Sequence, residues 1–172
     1  MNRRTWLGWS GGAVALASAT AGGVWYARSA DDSASAALWT LRFERPEGGE
    51  LAMASLRGRP LLLNFWATWC PPCVTEMPLL DRFHRDAGAS GWQVVGLAVD
   101  GPSPVREFLA KRPVGFPVGL AGLDGVELAR GLGNLSGSLP FSLAFDAKGH
   151  LRERKLGMLH EADLARWRSS AG

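Results

Sequence analysis

Leu61-Leu62-Leu63-Asn64-Phe65-Trp66-Ala67-Thr68-Trp69-Cys70-Pro71-Pro72-Cys73 contains the only two cysteines of the 172 residues and sets them two residues apart. The run from Leu61 to Trp66 is short, apolar and free of turn residues, which is the pattern of a strand buried on both faces. From Val74 to Arg85 the composition and spacing are helical. The cysteines therefore fall where a strand gives way to a helix. A first helical turn carries unpaired N–H groups and the positive end of the macrodipole, and both favour a thiolate over a thiol. Cys70 is accordingly expected to be the nucleophile. Cys73, one turn on and more interior, is near enough for a disulfide and is expected to be the resolving thiol. Pro71 suits a first turn because its missing N–H would have gone unpaired there. A CxxC pair in this setting reads as a redox dithiol. The competing reading, a fixed staple in a small secreted domain, fits less well, because the entropy that a staple removes grows with the loop it closes.

Working outward toward the N-terminus, Arg3-Arg4 precede an uncharged segment of 23 residues from Thr5 to Ala27. As a helix it would be about 34 Å long, enough to cross a hydrocarbon core of roughly 30 Å. The two arginines before it and Asp31-Asp32 after it orient the N-terminus inward and the remainder outward. Residues 1–28 are thus expected to be a signal anchor or a signal peptide. Ala17-Ser18-Ala19, Ala19-Thr20-Ala21 and Ala34-Ser35-Ala36 offer cleavage sites, and Arg3-Arg4-Thr5-Trp6-Leu7 partly matches a twin-arginine export signal. Residues 29–37 read as a linker and 38–172 as one domain. From Ala37 to Gly172 sixteen Lys and Arg face fourteen Asp and Glu with no basic stripe, so nothing favours nucleic-acid binding.

Within the domain, Leu38 to Phe43 and Leu51 to Leu56 are expected to form an edge hairpin about Glu47-Gly48-Gly49-Glu50. After the buried strand and the helix at about 71–87, strands are expected at Gln93–Val99, Phe116–Leu120, Phe141–Asp146 and His150–Gly157. Helices are expected at Pro104–Lys111, Asp124–Leu132 and Glu161–Arg168. This alternation predicts an α/β layer structure with parallel pairs joined by right-handed crossovers.

The stretch from Leu63 to Cys73, with Glu76, Met77 and Pro78 behind it and Ser138-Leu139-Pro140-Phe141 ahead of a later strand, resembles the TlpA/ResA group of exported thioredoxin-like proteins. The resemblance spans roughly Leu38 to Arg168. It implies a thioredoxin fold: a central mixed sheet flanked by helices, with an N-terminal β-hairpin extension and an inserted strand-helix element. It also implies that Cys70 attacks a substrate disulfide, that Cys73 resolves the mixed disulfide, and that Pro140 is cis. The loop shaped by Pro140 would let Leu139 offer backbone groups to an extended substrate. Trp69, Pro71 and Pro72 would form the rim on which the substrate docks, although Trp69 also fits a plain indole wedge. The acid that thioredoxin carries before its Phe-Trp is here Asn64, and the group commonly has instead an acid one turn past the second cysteine, which is Glu76. Glu76 is therefore expected to accept the proton of Cys73, with a raised pKa if buried. Pro78 is expected to kink the helix, and Trp66 to lie in the core.

No cofactor is expected, because the two cysteines carry both electrons. A soft-metal chaperone is the rival class, since two thiolates can hold Cu(I). His84, His150 and His160 are remote in sequence from the dithiol, His84 is expected at the surface, and no metal site is expected. A thiol peroxidase fails on its own motif, because Ala67 stands where a hydroxyl residue is needed. A dithiol can run as oxidant, reductant or isomerase according to its potential. The adjacent prolines withhold N–H donors from Cys70 and favour a reductant. The resemblance points the same way, to disulfides of apocytochrome c or of a metallochaperone as clients and to a transmembrane thiol carrier as electron donor.

Overall fold

The structure, a computed structural model, describes residues 33, 35–87 and 91–170. The expected membrane-crossing segment and two of its cleavage candidates lie outside the described residues. Among the described residues no helix is long and apolar enough to cross a membrane.

The apolar run forms strand β3 (Leu61–Trp66), with every residue buried. That requires cover on both faces, and the sheet supplies it by alternation. Leu62 and Trp66 point to one side with Val94, Ala98 and Ala144. Leu61, Leu63 and Phe65 point to the other with Val95, Leu97, Leu143 and Phe145. Around β3 stand β1 (Arg42–Glu44), β2 (Glu50–Ala52), β4 (Gln93–Ala98), β5 (Val118–Leu120), β6 (Phe141–Phe145) and β7 (Leu151–Leu156), in the order β2-β1-β5-β4-β3-β6-β7. β3 runs parallel to β4 and antiparallel to β6, and β4 runs parallel to β5.

The helices are α1 (Pro71–Ala87), α2 (Pro102–Lys111), α3 (Asp124–Gly131) and α4 (Glu161–Ser170). α1 and α4 bring Met77, Leu80, Phe83, Leu164 and Trp167 to the first face, and Val105 of α2 joins them. On the second face lie Ala129 of α3, Leu132, and the N-terminal residues Leu38, Trp39, Met53 and Leu56. The result is a three-layer α/β sandwich with a mixed sheet.

The expected hairpin is present at the sheet edge, but both of its strands are shorter than the alternation suggested. Ser35 to Leu38 are helical, and Met53–Leu56 form a 3-10 helix. In both places the side chains turn inward to cap the second face of the sheet, so burial overrode the strand pattern. α1 continues through Pro78 as one helix.

Candidate active site

β3 ends at Trp66 and the chain enters α1 through Ala67-Thr68-Trp69-Cys70, beside the C-terminal end of β4. Ligand sites in α/β sheets gather at that end of the parallel strands. Val99 N–H donates to the carbonyl of Trp66 at 2.8 Å, and Cys70 N–H donates to that of Ala67 at 3.3 Å. Asp100, just past β4, pins the loop. Its Oδ2 accepts from the Thr68 N–H at 3.1 Å and from the Thr68 hydroxyl, while Oδ1 accepts from the Gly101 N–H at 2.7 Å. Sequence reasoning passed over Asp100, although an acid directly following a buried parallel strand was a usable signal.

Cys70 and Cys73 form a disulfide with S–S 2.09 Å and Cα–Cα 5.3 Å. Cys70 is 4% exposed and Cys73 0%, so solvent touches the first cysteine and not the second. With Pro71 and Pro72 lacking donors, it is the Cys73 N–H that points at Cys70 Sγ, at 3.3 Å. Trp69 is 66% exposed and Pro71 is exposed, while Pro72 is half-buried. The Leu139–Pro140 peptide is cis. Pro140 is buried, and its carbonyl accepts from Gly157 N–H at 2.9 Å. Leu139 packs against the apolar cluster that contains both cysteines. Trp66 is fully buried, its ring centroid 5.3 Å from that of Phe108.

Glu76, one turn past Cys73, is only 1% exposed. Its Oε1 accepts from Asn64 Nδ2 at 2.8 Å, and its Oε2 accepts from the Leu159 N–H at 2.7 Å. Asn64 Nδ2 also donates to Ser142 Oγ at 2.9 Å. Burial pushes the carboxyl up from an ordinary 4.5 to about 7, against the opposing pull of the Leu159 and Asn64 hydrogen bonds and the Lys155 charge. The site thus holds a carboxyl group that exchanges its proton near neutrality.

The linkage has a definite sign. A carboxyl whose folded pKa lies above its unfolded value keeps its proton longer in the native state, so the native state is disfavoured as pH rises through the window from 4.5 to about 7. The full loss is about 3 kcal/mol. Glu76→Gln is therefore expected to gain on the parent protein by up to that amount between pH 4.5 and 8, measured by denaturant unfolding. Parallel stability curves across this range would remove the proton exchange from the account.

The histidines lie apart from the dithiol. His84, expected at the surface, is half-buried with its ring 6.2 Å from Phe116 and edge-on to it. His150 lies 3.4 Å from Asp146, and His160 lies 3.6 Å from Asp163. Among the described residues no group of three or more His, Cys, Asp or Glu is placed to hold a metal ion.

The Redoxin family model matches residues 35–167. Among curated proteins, the thiol-disulfide oxidoreductase ResA of Bacillus cereus is 31% identical over 113 residues, covering 64% of this chain and 62% of the relative. ResA of Geobacillus thermodenitrificans is 29% identical over 119 residues, covering 69% and 66%. The chain thus spans a little under two thirds of the length of these relatives. Among solved structures, a thiol:disulfide interchange protein of the thioredoxin family from Chlorobium tepidum matches with TM-score 0.67 and 28% identity, over 76% of this chain and 92% of that one. A secreted Mycobacterium tuberculosis disulfide oxidoreductase shares the fold with TM-score 0.62 at 24% identity, over 77% and 96%. The resemblance read from the CxxC frame is thereby met by independent relatives, and the chain belongs to the Redoxin family.

Proposed function

We propose that this chain is an extracytoplasmic thiol-disulfide oxidoreductase that reduces protein disulfides. The observation that carries the reading is the disulfide between a marginally exposed Cys70 and a fully buried Cys73, at a helix start with Glu76 buried one turn on. In the reduced protein, Cys70 Sγ attacks one sulfur of the client disulfide and the other client sulfur leaves as thiolate. Cys73 then gives its proton to the Glu76 carboxylate and attacks Cys70 Sγ. The second client thiol departs, and two electrons have passed from the dithiol to the client. The protein is left with the Cys70–Cys73 bond seen here. Trp69, Pro71, Pro72 and Leu139 form the surface on which the client segment lies, and the buried cis-Pro140 shapes it from beneath. Residues 1–28 would serve as signal anchor or signal peptide, 29–37 as linker and 38–172 as the redox domain.

Client disulfides in apocytochrome c or in a metallochaperone of oxidase assembly suit this reading, as does a transmembrane thiol carrier that returns the electrons. The direction rests on the two prolines, which leave Cys70 with the Cys73 N–H at 3.3 Å as its close backbone donor. Few donors to the thiolate mean a less stabilised reduced form and a more reducing couple. Equilibrating the dithiol against dithiothreitol and glutathione buffers tests this. A potential near or below about −270 mV is expected, whereas one near about −120 mV would reverse the electron flow and make the protein an oxidase.

A further inference from the structure

We propose that Lys155 and Asp163 are positioning residues that set the proton affinity of Glu76, through an ion pair at the outer end of a polar row crossing the sheet. The row follows from register. Asn64 on β3 lies opposite Ser142 on β6, and Ser142 lies opposite Lys155 on β7. Directly paired residues put their side chains on the same face. Amide, hydroxyl and ammonium therefore line up on the face covered by α1 and α4. On the far side of Asn64 the next partner is Gly96 of β4, which adds no side chain.

Glu76 enters this row from α1 through Asn64, whose Nδ2 is shared between Glu76 Oε1 at 2.8 Å and Ser142 Oγ at 2.9 Å. At the other end Lys155 Nζ donates to Asp163 Oδ2 at 2.7 Å. Two successive peptide groups join the ends. Leu159 N–H donates to Glu76 Oε2 at 2.7 Å, and His160 N–H donates to Asp163 Oδ2 at 3.0 Å. One short segment is thus held between two carboxylates, one of which belongs to the residue one turn past Cys73 in α1. The Lys155 charge acts on Glu76 in the direction expected of a nearby cation.

The groups facing Glu76 are few. Asn64 of β3 and the Leu159 N–H bond it directly and the Lys155 charge of β7 acts on it, while Ser142 of β6 is reached through Asn64 and Asp163 of α4 through Lys155. The further partners of Asp163 are exposed, with Arg166 Nη2 at 3.4 Å and His160 Nδ1 at 3.6 Å. Between α1 and α4, Arg82 and Glu161 pair at 3.6 Å in solvent. Lys155 is therefore the charge that pulls on Glu76, and Asp163 bears on Glu76 as the ion-pair partner that offsets it. Removing the cation disfavours the Glu76 carboxylate, and removing the anion favours it.

Asp163 also closes the first turn of α4, because an acid at this position reaching back to the His160 N–H is a capping contact. A cap alone would change stability and leave no signed effect on Glu76. The proposal rests on Glu76 as the proton acceptor for Cys73, and its test is read without exchange activity. The carboxyl carbon of Glu76 is titrated by NMR in the full-length oxidised protein in detergent. Lys155→Met is expected to raise its midpoint by roughly half a unit or more, and Asp163→Asn to lower it by a similar amount. The double variant should lie near the parent, and Asp163→Glu should restore the parent value. Shifts of the same sign in both single variants, or no shift, would reduce Asp163 to a helix cap and overturn the proposal.

If Asp163→Asn does not fold, Lys155→Arg decides: it should titrate as the parent does while Lys155→Met does not, and equal behaviour of the two overturns the proposal. The two readings can fail separately. Opposed shifts together with a Glu76→Gln variant whose pH profile of exchange matches the parent would discard the proton-acceptor role and leave the charge coupling standing.

Discussion

Cys73→Ser is expected to convert the protein into a trap. Cys70 keeps its place at the start of α1 and can still attack a disulfide, but the sulfur that would release the client is gone. A mixed disulfide should therefore accumulate to stoichiometric levels, visible by non-reducing electrophoresis and reversed by dithiothreitol. Cys70→Ser should form no such adduct at neutral pH, because the remaining thiol has no exposed surface. Turnover in a disulfide-reduction assay should fall by at least about a thousandfold in either variant, since no second group can replace a reacting sulfur. Adducts formed through Cys73 in the Cys70→Ser protein would reverse the assigned order of the two thiols. The trapped client also identifies the substrate, which makes this variant informative beyond the assignment of roles.

The largest expected loss of stability follows Trp66→Ala. The indole is fully buried at the end of β3, and its centroid lies 5.3 Å from that of Phe108 on α2. A Cβ added at Gly96 would come within 2.9 Å of its Nε1, so the neighbouring strand is kept bare to admit the ring. Truncating a side chain of this size in a closed core costs about 3–5 kcal/mol. For a domain stable by about 5–15 kcal/mol this is a large share. Chemical unfolding should show the midpoint falling at an unchanged slope. A loss below about 1 kcal/mol would mean that the cavity collapses, with Phe108 and α2 moving in to fill it.

Much of this architecture was readable in advance because it depends on local pattern. Leu61 to Trp66 could only be a buried strand, and the helix from Pro71 follows from the prolines and the periodicity behind them. The CxxC pair marked the two sulfurs that the structure joins. The two errors at the N-terminus, a strand drawn through Leu38 and another through Leu56, share a cause. Apolar residues at those positions do face the core, but as caps over a sheet whose position is set by residues far along the chain.

The surroundings of Glu76 were hidden for a related reason. Its place one turn past Cys73 is visible in the sequence, whereas the Leu159 N–H is a backbone group with no signature of its own. Ser142 and Lys155 join Asn64 only after β3, β6 and β7 pair in a particular register, and register is a long-range property. Asp100, which pins the Thr68 loop and not Glu76, did have a local signal, its position directly after a parallel strand.

The two margins of the sheet bear on how the protein behaves in a crowd of its own copies. One margin is β2, which is three residues long. The other is β7, where Arg152 and Arg154 are exposed at alternate positions. Arg152 is braced by Asp146 through Nε at 2.9 Å and Nη2 at 2.6 Å, and Arg154 donates to the Leu132 carbonyl at 2.8 Å. A second molecule approaching along β7 would meet a row of fixed guanidinium groups, and one approaching along β2 would find too little backbone to pair with. Strand addition between copies is thereby disfavoured at both margins of the sheet.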